Sequence, residues 1–181
     1  LILLPLGYVT SQALLADPAV WGRLWATRIP ELLSNTIWLA ASVACLTVVI
    51  GVSTAWFVTR VEFPGRRLWE GALVLPLAMP TYVLAYIYSY LLGFGGPVEH
   101  IWQTIAGPQA RIFSPHSYVG ATLVMTLDTF PFVYLLSRSA LLSMNVSFEE
   151  VSRASGISRL KTLWLVTLPL MRPSIAAGLA L

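Results

Sequence analysis

Apolar residues run through this chain in long blocks rather than at the short periods of a water-soluble fold. Residues 1 to 16, 32 to 59, 71 to 98 and 174 to 181 hold no Asp, Glu, Lys or Arg, and residues 112 to 137 hold only Asp128. A membrane-spanning helix needs about 20 residues with few or no charges to cross roughly 30 Å of hydrocarbon. Each of the three internal blocks is long enough. The first and last are short, and the chain opens on Leu1 and closes on Leu181 in mid-block. The pattern predicts an all-α integral membrane protein with about three full spans and two truncated ones, expected to be a piece of a longer polypeptide. A signal peptide fits residues 1 to 16 poorly, since no basic stretch precedes them and no clear small-x-small site follows.

Composition agrees with the pattern. Hydrophobic residues make up 57% of the chain and charged residues 10%, against roughly 25% charged in a soluble domain; mean hydropathy is +0.76. The basic residues divide unevenly between the loops. Arg23, Arg28 and Arg111 fall on one side, while Arg60, Arg66, Arg67, Arg138, Arg153, Arg159, Lys161 and Arg172 fall on the other. The richer side is cytoplasmic. The chain is therefore expected to run outward over about 1 to 9, inward over 33 to 58, outward over 70 to 92, inward over 117 to 137 and outward again from about 170. A net charge of +3 needs no nucleic acid partner, because the cations sit where the positive-inside rule puts them.

Chemistry of the enzymatic kind is sparse. Cys45 is the lone cysteine, inside an apolar block, which leaves neither a disulfide nor a thiolate metal site. His100 and His116 have no second ligand at helical spacing and read as ordinary interfacial residues, so no metal or cofactor is expected on this chain. There is no P-loop, no G-x-S-x-G and no H-E-x-x-H. An intramembrane enzyme built on Asp128 and His116 lacks a third convergent group.

Inside the blocks, Pro76 and Pro80 stand one turn apart near the inner end of the 70 to 92 span, each removing a backbone donor. Neighbouring helices or water must satisfy the carbonyls they free. Tyr82, Tyr86 and Tyr90 recur every four residues as one stripe, which either lines a passage or packs and ends in an interfacial aromatic belt. Asp128 lies ten residues before Arg138, roughly 15 Å from the cytoplasmic end at 1.5 Å per residue. A carboxylate at that depth costs at least about 2.5 kcal/mol and is a functional candidate by default. The other reading is a packing hydrogen bond to a neighbour's hydroxyl.

Charges crowd into one cytoplasmic loop, "FEEVSRASGISRLKTLWLVTLPLMRPSIAAG" over residues 148 to 178. Ser147 followed by Glu150 has the capping-box spacing, predicting a short helix from Phe148. Gly156 suits its left-handed C-terminal closure. Ser158 can open a second short helix through Trp164, with Leu168 and Pro169 at its end or kink and Pro173 in the first turn of the next span. A helix of about eight residues is marginal alone and needs tertiary support. Phe148, Val151, Ser152 and Ser155 share one side, with Glu149 and Arg153 as an i, i+4 pair. Such an edge suits a groove on a partner protein, or a loop lying on lipid headgroups.

Glu150, Val151 and Ser152, then Gly156, then Val166, Thr167, Leu168 and Pro169 resemble in spacing the E-A-A, G, I-x-L-P loop of ATP-binding-cassette importer permeases. Val151 and Ser152 replace the two alanines, and Val166 the isoleucine. The stretches 35 to 60, 63 to 92 and 130 to 144 are similar to the first half of ferric-iron-type permeases. The resemblance covers nearly the whole chain. It implies a MetI-like type I importer transmembrane domain over 31–181, after the end of a first helix and a periplasmic loop over 1–30, with the coupling loop at 145–170. It further implies a multi-pass protein of the bacterial inner membrane. Its partners would be a cytoplasmic ATPase dimer that binds the ATP, a periplasmic solute-binding protein, and a second permease half in the same chain or a homodimer. Phe148, Glu149, Glu150, Val151, Ser152, Gly156, Leu168 and Pro169 would be the ATPase-coupling set. The cargo it implies is ferric iron; related permeases carry thiamine, phosphonate, polyamine, sulfate or molybdate. A non-transporting membrane assembly subunit is the remaining alternative.

Overall fold

The computed structural model describes residues 3–15, 17–107, 109–110, 113–145 and 147–180, with the backbone alone at Leu3, Pro18, Phe148, Glu149, Arg153, Arg159 and Leu160. The described residues form helices and no strand. The chain divides into two units, Leu1–Ala41 and Ser42–Leu181.

The first unit holds helix α1 (Leu3–Leu15), helix α2 (Pro18–Thr27) and the beginning of helix α3 (Ile29–Arg60). Residues 18–27, expected as outer loop, are helical because Asp17 caps them: its Oδ1 accepts from Ala19 N at 2.9 Å, and Pro18 occupies the first turn where no donor is missed. Trp21 Nε1 donates to the Ala13 carbonyl at 3.2 Å, tying α2 to α1.

In the second unit α3 continues to Arg60 and ends where Pro64 and Gly65 turn the chain; Gly65 is left-handed at φ 84°. The expected outward span over 70 to 92 is not one helix. Helix α4 (Arg66–Ala72) gives way to a 3₁₀ turn (Leu75–Ala78) and then to helix α5 (Thr81–Leu92). Met79 between them is extended, at φ −106° and ψ 139°, as expected of a residue whose α conformation would clash with the following Pro80 ring. At 12 residues α5 is roughly 18 Å long. Helix α6 (Pro97–Ala106) also lies where the sequence predicted loop; its Glu99 is buried and accepts from Gly95 N ahead of the helix.

Helix α7 (Tyr118–Ser143) opens on the Ser117 cap, whose Oγ accepts from Gly120 N at 3.2 Å, and carries Pro131 in its interior. Helices α8 (Ser147–Ala154) and α9 (Arg159–Thr162) follow, then a π-helical segment (Leu163–Thr167) and helix α10 (Leu168–Ala180). Among the described residues, three stretches are long and apolar enough to cross a membrane: Ile29–Arg60, Tyr118–Ser143 and Leu163–Ala180. The third begins earlier than the sequence predicted, and it keeps Arg172 within it.

The core is centred on α7, with Phe130, Val133, Tyr134 and Leu141 buried against Val52 and Ala55 of α3 and Met171 of α10. Val133 meets a glycine from each neighbour. A Cβ placed on Gly51 would stand 2.9 Å from Val133 Cβ and 3.0 Å from Tyr134 N; one on Gly178 would stand 2.9 Å from Val133 Cα. Small residues let spans approach to backbone contact, which matters in lipid because helices there gain nothing from hiding apolar surface. α3 and α7 run parallel, since their contacts rise together in both numbers: Thr47 to Thr129, Gly51 to Val133, Arg60 to Leu141. The two spans therefore cross in the same direction.

Gly51→Ala is expected to cost up to about 2 kcal/mol of stability, from 1–3 for overpacking less about 1 regained in helix propensity. Gly22→Ala, with open space around its Cβ position, should gain about 0.5–1 kcal/mol. Denaturation of the purified protein in detergent, followed by circular dichroism, checks the opposite signs.

Candidate functional site

The loop singled out in the sequence is a built corner. α8 starts at Ser147, but the capping box does not form as expected. Ser147 N and Oγ both donate to Asn145 Oδ1, at 3.0 and 2.8 Å, so the asparagine two residues earlier covers the helix start. An Asn carbonyl oxygen has two lone pairs and can take both donors at once. The far end is as predicted: Gly156 is left-handed at φ 78°. The Ile157 N–H reaches back to the Ser152 carbonyl at 3.1 Å, which is the long bond of a Schellman closure.

Ser158 then opens α9, its Oγ accepting from Lys161 N at 3.4 Å and its carbonyl from Thr162 N at 2.9 Å. α8 folds back on α9 and on the π segment. Along its outer side Glu150 and Val151 are exposed, Val151 at 66%. Ser152 is half-buried. The side chains of Phe148, Glu149 and Arg153, and with them the expected i, i+4 pair, lie outside the described residues.

Leu168 and Pro169 do not end a helix. The chain passes from α9 through the π segment into α10 without a break, and Leu168 N donates to the Leu163 carbonyl five residues back. Pro169 has no N–H to offer the Leu165 carbonyl, and the wider π turn is how the helix continues past such a gap. Pro173 sits in the interior of α10, not in its first turn. Leu168 joins the core edge and Pro169 is half-buried, so the loop's last two motif residues belong to the span.

At mid-depth of α7, Asp128 is half-buried and makes no hydrogen bond among the described residues. The nearby hydroxyls serve each other: Thr129 donates to the Met125 carbonyl at 2.8 Å, which leaves Thr47 to donate to Thr129 across 3.0 Å. Tyr88 of α5 lies within electrostatic reach of Asp128. The three tyrosines chosen from the sequence point elsewhere: Tyr82, Tyr86 and Tyr90 are 77%, 75% and 65% exposed, on the side of α5 opposite buried Leu84. Period four identified a stripe; the tyrosine that meets the core side is Tyr88.

A polar cluster the sequence reading did not assemble joins the basic ends of α3, α4 and α7. Glu70 takes Arg66 Nε at 3.3 Å and Arg138 Nη2 at 3.0 Å. Arg66 Nη2 also donates to the Thr59 carbonyl at 3.4 Å, Tyr134 Oη to the Glu70 carbonyl at 3.4 Å, and Arg60 Nη2 to the Leu141 carbonyl at 3.1 Å. The i, i+4 spacing of Arg66 and Glu70 was the available signal; Arg138 is remote in sequence. No group of three His, Cys, Asp or Glu able to hold a metal occurs among the described residues.

Comparison with known proteins places the chain in one family. Residues 48–181 match the family described as binding-protein-dependent transport system inner membrane component. The chain is 30% identical over 185 residues to the sulfate transport system permease protein CysT of Salmonella typhimurium, covering all of this chain and 64% of that protein. It is 31% identical over 158 residues to the Fe(3+)-transport system permease protein FbpB 2 of Haemophilus influenzae, covering 87% of this chain and 27% of that one. To the molybdenum transport system permease protein ModB of Escherichia coli it is 31% identical over 132 residues, 72% of this chain and 56% of that one. The chain thus spans between 27% and 64% of the length of these relatives.

Glu70→Gln should lower stability by about 0.5–1 kcal/mol, the scale of a partly solvated ion pair. The deficit is expected to shrink when salt is raised to about 1 M, where screening reaches about 3 Å. Paired denaturation curves of both proteins at low and high salt measure it.

Proposed function

The chain belongs to the family of binding-protein-dependent transport system inner membrane components, and from that premise we propose that it forms the permease unit of an ATP-binding-cassette importer. The single observation that supports this most is the corner at Gly156. A short helix closed by a left-handed glycine leaves Glu150 and Val151 exposed, and α8 is too short to persist on its own. A cleft on a cytoplasmic ATPase would complete it, taking Val151 as apolar contact and Glu150 as docking carboxylate. Phe148, Glu149 and Ser152 belong to the same docking face in this reading, with Leu168 and Pro169 passing the movement to α10.

The mechanism is alternating access. ATP binding closes a dimer of the partner ATPase, α8 moves with it, and the spans open outward to receive a solute from a periplasmic binding protein. A second permease half, in the same polypeptide or a second copy, faces this one across the path. This chain hydrolyses nothing itself; it converts the movement of α8 into a change of access.

The cargo we assign is ferric iron, supported by the likeness of residues 35 to 60, 63 to 92 and 130 to 144 to iron-type permeases and by the Haemophilus influenzae relative. A second reading, an oxyanion, draws on the sulfate and molybdenum relatives at the same level of identity.

Gly156→Val forces a β-branched residue into a left-handed turn at a cost of about 1–3 kcal/mol. It is expected to abolish co-purification of the ATPase and solute uptake while leaving the amount of permease in the membrane unchanged. Gly156→Asn, which tolerates that conformation, should retain most of both. Full ATPase capture by the valine variant would sink the coupling role.

A further inference from the structure

Asp128 is the one acidic residue between Glu99 and Glu149, ten residues from either Tyr118 or Arg138 along α7. At 1.5 Å per residue it stands about 15 Å from both ends of the apolar part of the helix. It is partly accessible rather than buried, and the hydroxyl of its neighbour Thr129 is engaged with Thr47 and the Met125 carbonyl. Its described neighbour on α5 is Tyr88, an uncharged phenol. Among the described residues, the guanidinium groups bonded at α7, those of Arg60 and of Arg138 itself, lie at the basic end, with Arg60 bonded to Leu141 and Arg138 to Glu70. With no counter-charge bonded to it among the described residues, a carboxylate at this depth has to face water or protein rather than hydrocarbon.

We propose that Asp128 lines the solute path and sets its charge preference, so that a cationic cargo is drawn through and an oxyanion is repelled. A fixed carboxylate in a constricted, poorly screened passage raises the local concentration of cations and lowers that of anions, the device by which acidic side chains select cations in channels. The relatives named for sulfate and molybdenum do not decide the question, since one side chain at mid-depth is enough to change the sign of the field. The inference rests on the permease reading and deepens it by naming the charge class of the cargo.

The test keeps Asp128 in place and reads the field beside it. Val124 is one turn away on the same face of α7, and half-buried. In a Cys45→Ser background, Val124→Cys is introduced into the full-length transporter in membrane vesicles. It is labelled with a trimethylammonium-ethyl or a sulfonato-ethyl methanethiosulfonate, each rate divided by that reagent's rate with a free thiol. The cationic reagent is expected to be favoured by about tenfold, the effect of a unit charge a few ångströms away in a partly screened medium. Asp128→Asn should bring the ratio to about one, and Asp128→Glu should keep it. Absence of labelling by both reagents would overturn the proposal, because the position would then be closed to water; so would a ratio that Asp128→Asn leaves unchanged. Labelling does not require the ATPase. A retained ratio alongside ATPase capture insensitive to Gly156→Val would therefore remove the permease reading alone.

Discussion

The packing depends on one contact. Val133 of α7 is held between Gly51 of α3 and Gly178 of α10, where no side chain separates it from either backbone. In water such helices would be driven together by burying apolar surface. In lipid that force is absent, and dispersion between closely approaching backbones takes its place. Because α7 is clamped there, Ala55 and Tyr134 close the core beside it with no exposed surface, and the hydroxyl bridge from Thr47 to Thr129 lies one turn further along. The Glu70 cluster locks the basic end of the same assembly. Depth along α7 is thereby fixed, and with it the level of Asp128.

Around this rigid centre the irregular parts are concentrated in α10 and the loop that feeds it. The π segment, Pro169 and Pro173 together weaken the hydrogen-bond ladder over Leu163–Ala180. The corner at Gly156 is, by contrast, fully specified by its backbone bonds. These irregular turns and the Gly178 contact lie at opposite ends of the Leu163–Ala180 stretch.

Which features were legible follows from the physics of each. α3 and α7 were visible because a span is defined by the absence of charge, a property of one segment alone. Gly156 was visible because a left-handed turn demands glycine locally. The break at Met79 was half visible: Pro76 and Pro80 announced a disturbance, but whether a helix kinks or stops depends on what it packs against. Tyr88, Gly51 and Gly178 could not be chosen in advance, because being the inward tyrosine or the close-approach glycine is a relation to another helix. Asn145 displaced Ser147 as the helix cap for a similar reason: several polar residues stood near the helix start, and loop geometry decided among them. α2 and α6 were hidden by their position in segments short and polar enough to pass for loop.

The parallel course of α3 and α7 has a topological price. Two neighbouring spans that travel the same way require the polypeptide between them to recross the bilayer, and residues 71 to 98 are the longest uncharged stretch between them. That stretch contains an extended residue at Met79 and a helix, α5, little more than half as long as the hydrocarbon is thick. Non-helical backbone survives at such depth only when it is enclosed by protein or wetted. The interrupted crossing therefore needs water or protein, rather than lipid, around its broken turn.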